Sequence, residues 1–180
     1  MKINMDICLE LDLGQQLEQF KVMPAKLGNG RKGFVAFYSA CYDVDASYEM
    51  FVIPTDSLKV IVFDDKGNVL WQRETDVMPG PPWYTYRTMD MNEDGIDELY
   101  FVTTTDREHP FRLAAFVLQR IDINSGEITG QWPWPNKQGG RKSLSVTFRN
   151  HMTAGYVNGR PVLLTIQGTY EDMYFQACDS

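Results

Sequence analysis

Asp90-Met91-Asn92-Glu93-Asp94-Gly95-Ile96-Asp97-Glu98-Leu99 runs without a break into Tyr100-Phe101-Val102. Oxygen-bearing side chains at alternating positions, Asp90, Asn92 and Asp94, can converge on one hard cation, and Gly95 lets the chain turn sharply behind them. Ile96 would offer its backbone carbonyl, Asp97 would face away, and Glu98 would close the set. The expected ligands are therefore Asp90, Asn92, Asp94, Ile96 and Glu98, and the expected cofactor is Ca2+. In an EF-hand the bidentate carboxylate stands at loop position 12, which here is Phe101, and a helix follows it. Glu98 leads instead into an apolar run, so this loop enters a β-strand. The bland alternative is a solvated acidic turn.

Outward from the loop, one unit recurs. Asp43-Val44-Asp45-Ala46-Ser47-Tyr48-Glu49-Met50-Phe51-Val52-Ile53 reads as a shortened copy of loop plus strand, without the Gly, and begins 47 residues before Asp90. Leu58 to Phe63 and Val69 to Trp71 flank Asp64-Asp65-Lys66-Gly67-Asn68, a hairpin with the turn residues it needs. The second copy repeats that order with Phe111 to Ile121, the turn Asp122 to Glu127, and Ile128 to Trp132. A third begins at Tyr156-Val157-Asn158-Gly159 and continues through Met173 to Asp179. Repeats of about 40 to 50 residues made of short strands and turns point to a β-propeller. The fold expected is all-β, a partial β-propeller of about two and a half four-stranded antiparallel blades, with blade units at 34–78, 83–132 and 144–180. A β-sandwich is the architectural alternative. Since about 4 to 8 blades close a ring, the remainder of the propeller is expected C-terminal to Ser180.

The N-terminal segment 1–30 is harder to read. Ile3, Ile7, Leu9, Leu11 and Leu13 alternate with mainly polar residues, which suits a strand, and Gly14 to Phe20 is ambiguous. Gly28-Asn29-Gly30 is a turn signal, and Gly33 to Ser39 then reads as a strand.

With 180 residues, 43% of them hydrophobic, the chain has the composition of a globular protein. No window of about 18 uninterrupted apolar residues exists, so no membrane-spanning helix is expected. The first residues lack the apolar stretch of a signal peptide, and Cys8, Cys41 and Cys178 lack metal-type spacing. Three free thiols and a cytoplasmic location are the expectation, with an extracellular one open to a trimmed chain. The net charge of −7 is uneven: Gln131 to Tyr170 carries no Asp or Glu, but has Lys137, Arg141, Lys142, Arg149 and Arg160 beside His151. A basic segment in an acidic protein suits an anionic ligand, whereas the overall charge repels a phosphate backbone and disfavours nucleic acid.

The loop Asp90-x-Asn92-x-Asp94-Gly95-x-x-Glu98-Leu99 and the strand after it resemble the calcium loops of FG-GAP-type (VCBS) propellers, a group that includes integrin α-chains and the propellers of rhamnogalacturonan lyases. The hairpins at Asp64 to Trp71 and Asp122 to Glu127 also look like those of quinoprotein-type propellers, although no contacts for such a cofactor are found. The lyase resemblance implies a carbohydrate-active propeller acting on acidic, uronate-containing oligo- or polysaccharide with structural calcium. The alternative is a non-catalytic repeat scaffold that binds glycan or protein.

The chemistry of that expectation falls on the segment after Gln131. Trp132 and Trp134 offer flat faces for the C–H faces of sugars, and Lys142 and the Arg residues suit carboxylates. A uronate lyase removes the proton α to a carboxylate, so the carboxylate has to be neutralised and a base has to take the proton. His151 is the candidate base, with Arg149 or Arg141 neutralising the acid. Tyr84 and Tyr86, just before the metal loop, are further candidate substrate contacts, and Trp132 and Trp134 packed as core residues are the plainer alternative.

Overall fold

The computed structural model describes residues 6–15, 17, 19–39, 42–45, 51–54, 56–75, 86–104, 116–134, 150–169 and 172–179. Every regular element among them is a β-strand. In chain order these are β1 (Gln19–Gly28), β2 (Arg31–Ser39), β3 (Tyr42–Asp45), β4 (Phe51–Pro54), β5 (Lys59–Asp64), β6 (Val69–Glu74), β7 (Tyr86–Met89), β8 (Glu98–Thr104), β9 (Phe116–Asp122), β10 (Ile128–Pro133), β11 (Asn150–Val157), β12 (Arg160–Thr169) and β13 (Asp172–Cys178).

Sequence neighbours pair, so the sheets are antiparallel meanders. Sheet 1 has the order β1-β2-β5-β6, sheet 2 runs from β7 through β8 and β9 to β10, and sheet 3 is β11-β12-β13. The β3–β4 hairpin is a small sheet of its own within the β2 to β5 connection. Local chemistry accounts for the turns. Asn29-Gly30 and Asn158-Gly159 have φ of 53° and 73°, and 52° and 80°, the left-handed pair that matches strand twist in two-residue hairpins. Between β5 and β6, Asp64 accepts the amides of Lys66 and Asn68 and the side-chain amide of Asn68, which holds its carboxyl below the usual range. Asp122 closes the β9–β10 turn alike, accepting from the amides of Asn124 and Ser125.

Period-two alternation then builds the packing. In β2, Val35 and Phe37 face sheet 2, while Phe34, Ala36 and Tyr38 face the opposite way. In β8, Leu99 and Phe101 face sheet 1, while Tyr100 and Val102 face sheet 3. One core therefore lies between sheets 1 and 2, where Met23, Ala25 and Leu27 of β1 meet Leu99, Phe101 and Ile121. A second core joins Tyr100, Val102, Leu118 and Trp134 to Met152 and Leu163 of sheet 3. Burying each Leu, Ile, Val, Phe or Met of these cores contributes about 1.5–3 kcal/mol. Strand β7 contacts β1 on one side and β11 on the other, so the first strands of the three sheets are neighbours.

The structure departs from the sequence reading in two places. The alternating leucines of the N-terminal segment do not form a strand over the described positions 6–13; Leu9, Leu11 and Leu13 pack on the outer face of sheet 1 without a ladder partner. The strand of that region is β1, which pairs along its length with β2. Between Asp43 and Ile53 the expected strand at Phe51 to Ile53 is β4, but Asp43 and Asp45, expected in a loop, belong to strand β3. Asp43 pairs with Ile53 and Asp45 with Phe51, so these two aspartates stand in a strand ladder and not in a ligand loop like that at Asp90.

Candidate metal loop and aromatic surface

The stretch from Asp90 to Asp97 connects β7 to β8 and is shaped by its own side chains. Asp90 accepts the amides of Asp94 (3.0 Å) and Gly95 (2.9 Å), Asn92 accepts the Asp94 amide (3.1 Å), and Asp94 accepts the Ile96 amide (2.8 Å). These nested turns fold the loop back on itself. Glu98, the first residue of β8, reaches across to the amide of Met91 (2.9 Å). Burial raises the Glu98 carboxyl above its usual range; the Met91 amide and Arg120 oppose the shift, and the nearby charges of Asp94 and Asp90 add to it. The Glu98 carboxyl therefore senses two further carboxylates across the loop. The donor set is oxygen throughout, and every oxygen engaged by an amide keeps a second lone pair, so the residues fit a hard divalent cation. Among the described residues no three His, Cys, Asp or Glu side chains are already gathered as a metal cluster.

Asp97 faces away from the loop interior and is buried. Its carboxylate accepts the Lys26 amide of β1 at 2.8 Å, and its own amide donates to the Lys26 carbonyl at 3.0 Å. Beside it, Ile96 pairs with Leu27.

From Glu98 a polar path crosses sheet 2. Tyr100 is opposite Arg120 and hydrogen-bonded to it; burial first, and then the Glu98 charge, push its phenol up to about 12, against the opposing effect of Arg120. Arg120 donates through Nε to Thr129 Oγ1 (3.0 Å) and lies 5.7 Å from the ring centre of Trp132. Trp132 is 44% exposed, with its ring lying over the backbone of Gly130. An exposed indole braced by a guanidinium can offer a flat apolar face with polar groups at its border.

The other expected contacts are distributed differently. Trp134 is buried between sheets 2 and 3 in the core that holds Met91 and Tyr100, and its Nε1 has no hydrogen-bond partner among the described residues. Tyr86 is in the core between sheets 1 and 2, its ring 3.8 Å from that of Phe37 and the Lys21 ammonium 4.7 Å from its centre. Both side chains are inside the cores, because alternation turns them toward the neighbouring sheet. His151 is exposed on β11. Arg141, Lys142, Arg149 and Tyr84 lie outside the described residues. Sequence reasoning passed over Tyr100 and Arg120, and it turned Asp97 away from the loop, as found, without giving it a partner. Spacing two apart puts Glu98 and Tyr100 on one face, but their link to Arg120 depends on the β8–β9 register.

Stacked antiparallel meanders, with an oxygen-lined loop before β8 and a tryptophan–arginine surface on sheet 2, define an all-β chain. The solved structures it is similar to are the exotype rhamnogalacturonan lyase YesX (TM-score 0.70, 16% identity), a Bacillus licheniformis rhamnogalacturonan lyase (0.70, 14%) and the rhamnogalacturonan lyase YesW (0.69, 15%). Each match covers 89% of this chain and 32% of the lyase, so the chain spans about a third of the length of the lyases it matches. No protein-family model and no curated protein matches the sequence.

Proposed function

We propose that this chain forms blades of a calcium-binding β-propeller and serves a polysaccharide lyase acting on uronate-containing glycan. The observation that carries the reading is the fold likeness to three rhamnogalacturonan lyases over 89% of the chain. The adjacency of β1, β7 and β11 supports the propeller, since first strands gather around the axis when meander sheets are arranged radially. Further blades C-terminal to Ser180 would complete the ring. Asp90, Asn92, Asp94, the Ile96 carbonyl and Glu98 hold the calcium, which supplies a fixed positive charge and stiffens the entry to β8.

In the reaction, Trp132 stacks against a sugar face with Arg120 behind it. Arg149 or Arg141 neutralises the uronate carboxylate, and His151 takes the proton from the carbon beside it; the C4–O bond to the neighbouring sugar then breaks, leaving a C4–C5 double bond, and the departing oxygen takes up a proton to leave as a hydroxyl. Lys142 and Tyr84 contribute to holding the acidic chain, while Trp134 and Tyr86 support the surface from within the cores. Exposure of His151 leaves its imidazole accessible to substrate.

The test incubates the full-length protein with rhamnogalacturonan and with glucuronate-bearing glycans and follows the ultraviolet absorbance of the unsaturated uronate product. A rise that His151→Ala removes without loss of folding supports the reading. Glycan retention with no rise favours the non-catalytic scaffold.

A further inference from the structure

Asp97 is the buried carboxylate that neither the metal set nor the proton transfer uses. It stands between two of the proposed ligands, the Ile96 carbonyl and the Glu98 carboxylate, and it is tied to a different sheet. Strand β1 is the edge of sheet 1, and its pairing with β2 is irregular between Lys26 and Gly28. At that irregularity the Lys26 amide turns outward and finds the Asp97 carboxylate at 2.8 Å, while the Asp97 amide returns a bond to the Lys26 carbonyl at 3.0 Å. Ile96 pairs with Leu27, and its side chain occupies the space a Cβ on Gly28 would take, with Cγ1 2.8 Å from that position. Thr88, at the other end of the loop, donates to the Pro24 carbonyl of the same strand at 2.9 Å. The far side of the loop is thus sewn to β1, while its near side carries the cation ligands.

We propose that Asp97 is the positioning residue of the metal loop, a clasp that fixes Ile96 and Glu98 by anchoring the segment between them to β1, so that cation binding and the junction of sheets 1 and 2 reinforce each other. The inference rests on the metal reading for its second half, and on the hydrogen bonds alone for its first. Coupling of this kind is reciprocal: what steadies the junction tightens the site, and an ion in the site steadies the junction.

The test compares the full-length protein with Asp97→Ala and Asp97→Asn in two measurements. In the metal-free proteins, amide hydrogen exchange is followed at Lys26, Leu27 and Ile96. Asp97→Ala speeds exchange at Lys26, and Asp97→Asn, which keeps an oxygen acceptor, stays near the parent. Unchanged exchange at Lys26 in Asp97→Ala overturns the clasp. In calorimetric titration with CaCl2, Asp97→Ala weakens binding by about 10- to 100-fold, as loss of an outer-shell partner does, whereas Asp97→Asn recovers most of the affinity. Parent-like affinity in Asp97→Ala overturns the positioning role, and equal losses in both variants overturn it in favour of a direct ligand. Absence of heat from the parent protein overturns the metal reading and the coupling with it, and the exchange experiment still decides the clasp.

Discussion

Gly126→Ala probes how sheets 1 and 2 meet. Gly126, in the β9–β10 turn, has a φ of +77°, and a Cβ there would approach Trp71 of β6 to 2.8 Å. Trp71 cannot yield freely, because its Nε1 donates to the Ile123 carbonyl at 2.9 Å and Arg73 lies 5.4 Å from its ring centre while donating to the Gly126 carbonyl. The left-handed backbone costs a non-glycine residue about 1 kcal/mol. Displacing Trp71 adds about 1 kcal/mol for its hydrogen bond and a comparable amount for lost ring contact, giving about 3 kcal/mol in all. Gly159→Ala is the control, since its φ is +80° but nothing lies within 4 Å of the added Cβ, so only the backbone cost applies. At about 2–4 °C per kcal/mol for a chain of this size, thermal unfolding should fall by about 6–12 °C for Gly126→Ala and about 2–4 °C for Gly159→Ala. Adding Trp71→Ala should shrink the Gly126→Ala cost to that of the control, a coupling of about 2 kcal/mol in a double-mutant cycle. Equal losses for the two glycine variants, or no coupling to Trp71, would refute the docking of the turn of sheet 2 on the last strand of sheet 1.

Glu98→Gln should raise the melting temperature of the metal-free protein at neutral pH and abolish its response to calcium. The carboxyl is raised in the folded state, so the metal-free parent loses stability as pH climbs from the ordinary glutamate range through the raised value, and the variant should lack that loss in a pH series of thermal melts. Phe37→Ala removes a ring packed against Tyr86 and Phe101 and should cost about 3–5 kcal/mol, measured by urea unfolding. Trp132→Ala, at an exposed site, should leave stability within about 0.5 kcal/mol of the parent yet weaken retention in affinity electrophoresis through acidic glycan.

Where turn chemistry and alternation coincide, the fold was legible. Asn-Gly at 29–30 and 158–159 and the Asp-led turns at 64 and 122 mark hairpins, and the apolar runs beside them are β2, β5, β9 and β12. Strand β1 escaped because Lys21, Pro24 and Lys26 interrupt its pattern, although Met23, Ala25 and Leu27 carry the buried alternation. The N-terminal leucines misled for the converse reason: alternation reports which side faces a sheet and does not say that a ladder partner exists. Asp43 and Asp45 imitated a ligand loop because strands also place alternate residues on one face. Of the site, the ligand spacing is local and could be read directly. The Asp97 bond to Lys26 spans 71 positions, and the placing of Arg120 over Trp132 depends on strand register, neither of which a local pattern encodes.

The account stands on the loop before β8 as a cation site. Crystals grown with calcium and measured for its anomalous scattering address it directly. The expected result is one peak at about 2.3–2.6 Å from oxygens of Asp90, Asn92, Asp94, Glu98 and the Ile96 carbonyl. A loop free of any peak at saturating calcium, with Asp90 and Glu98 directed apart, would contradict it.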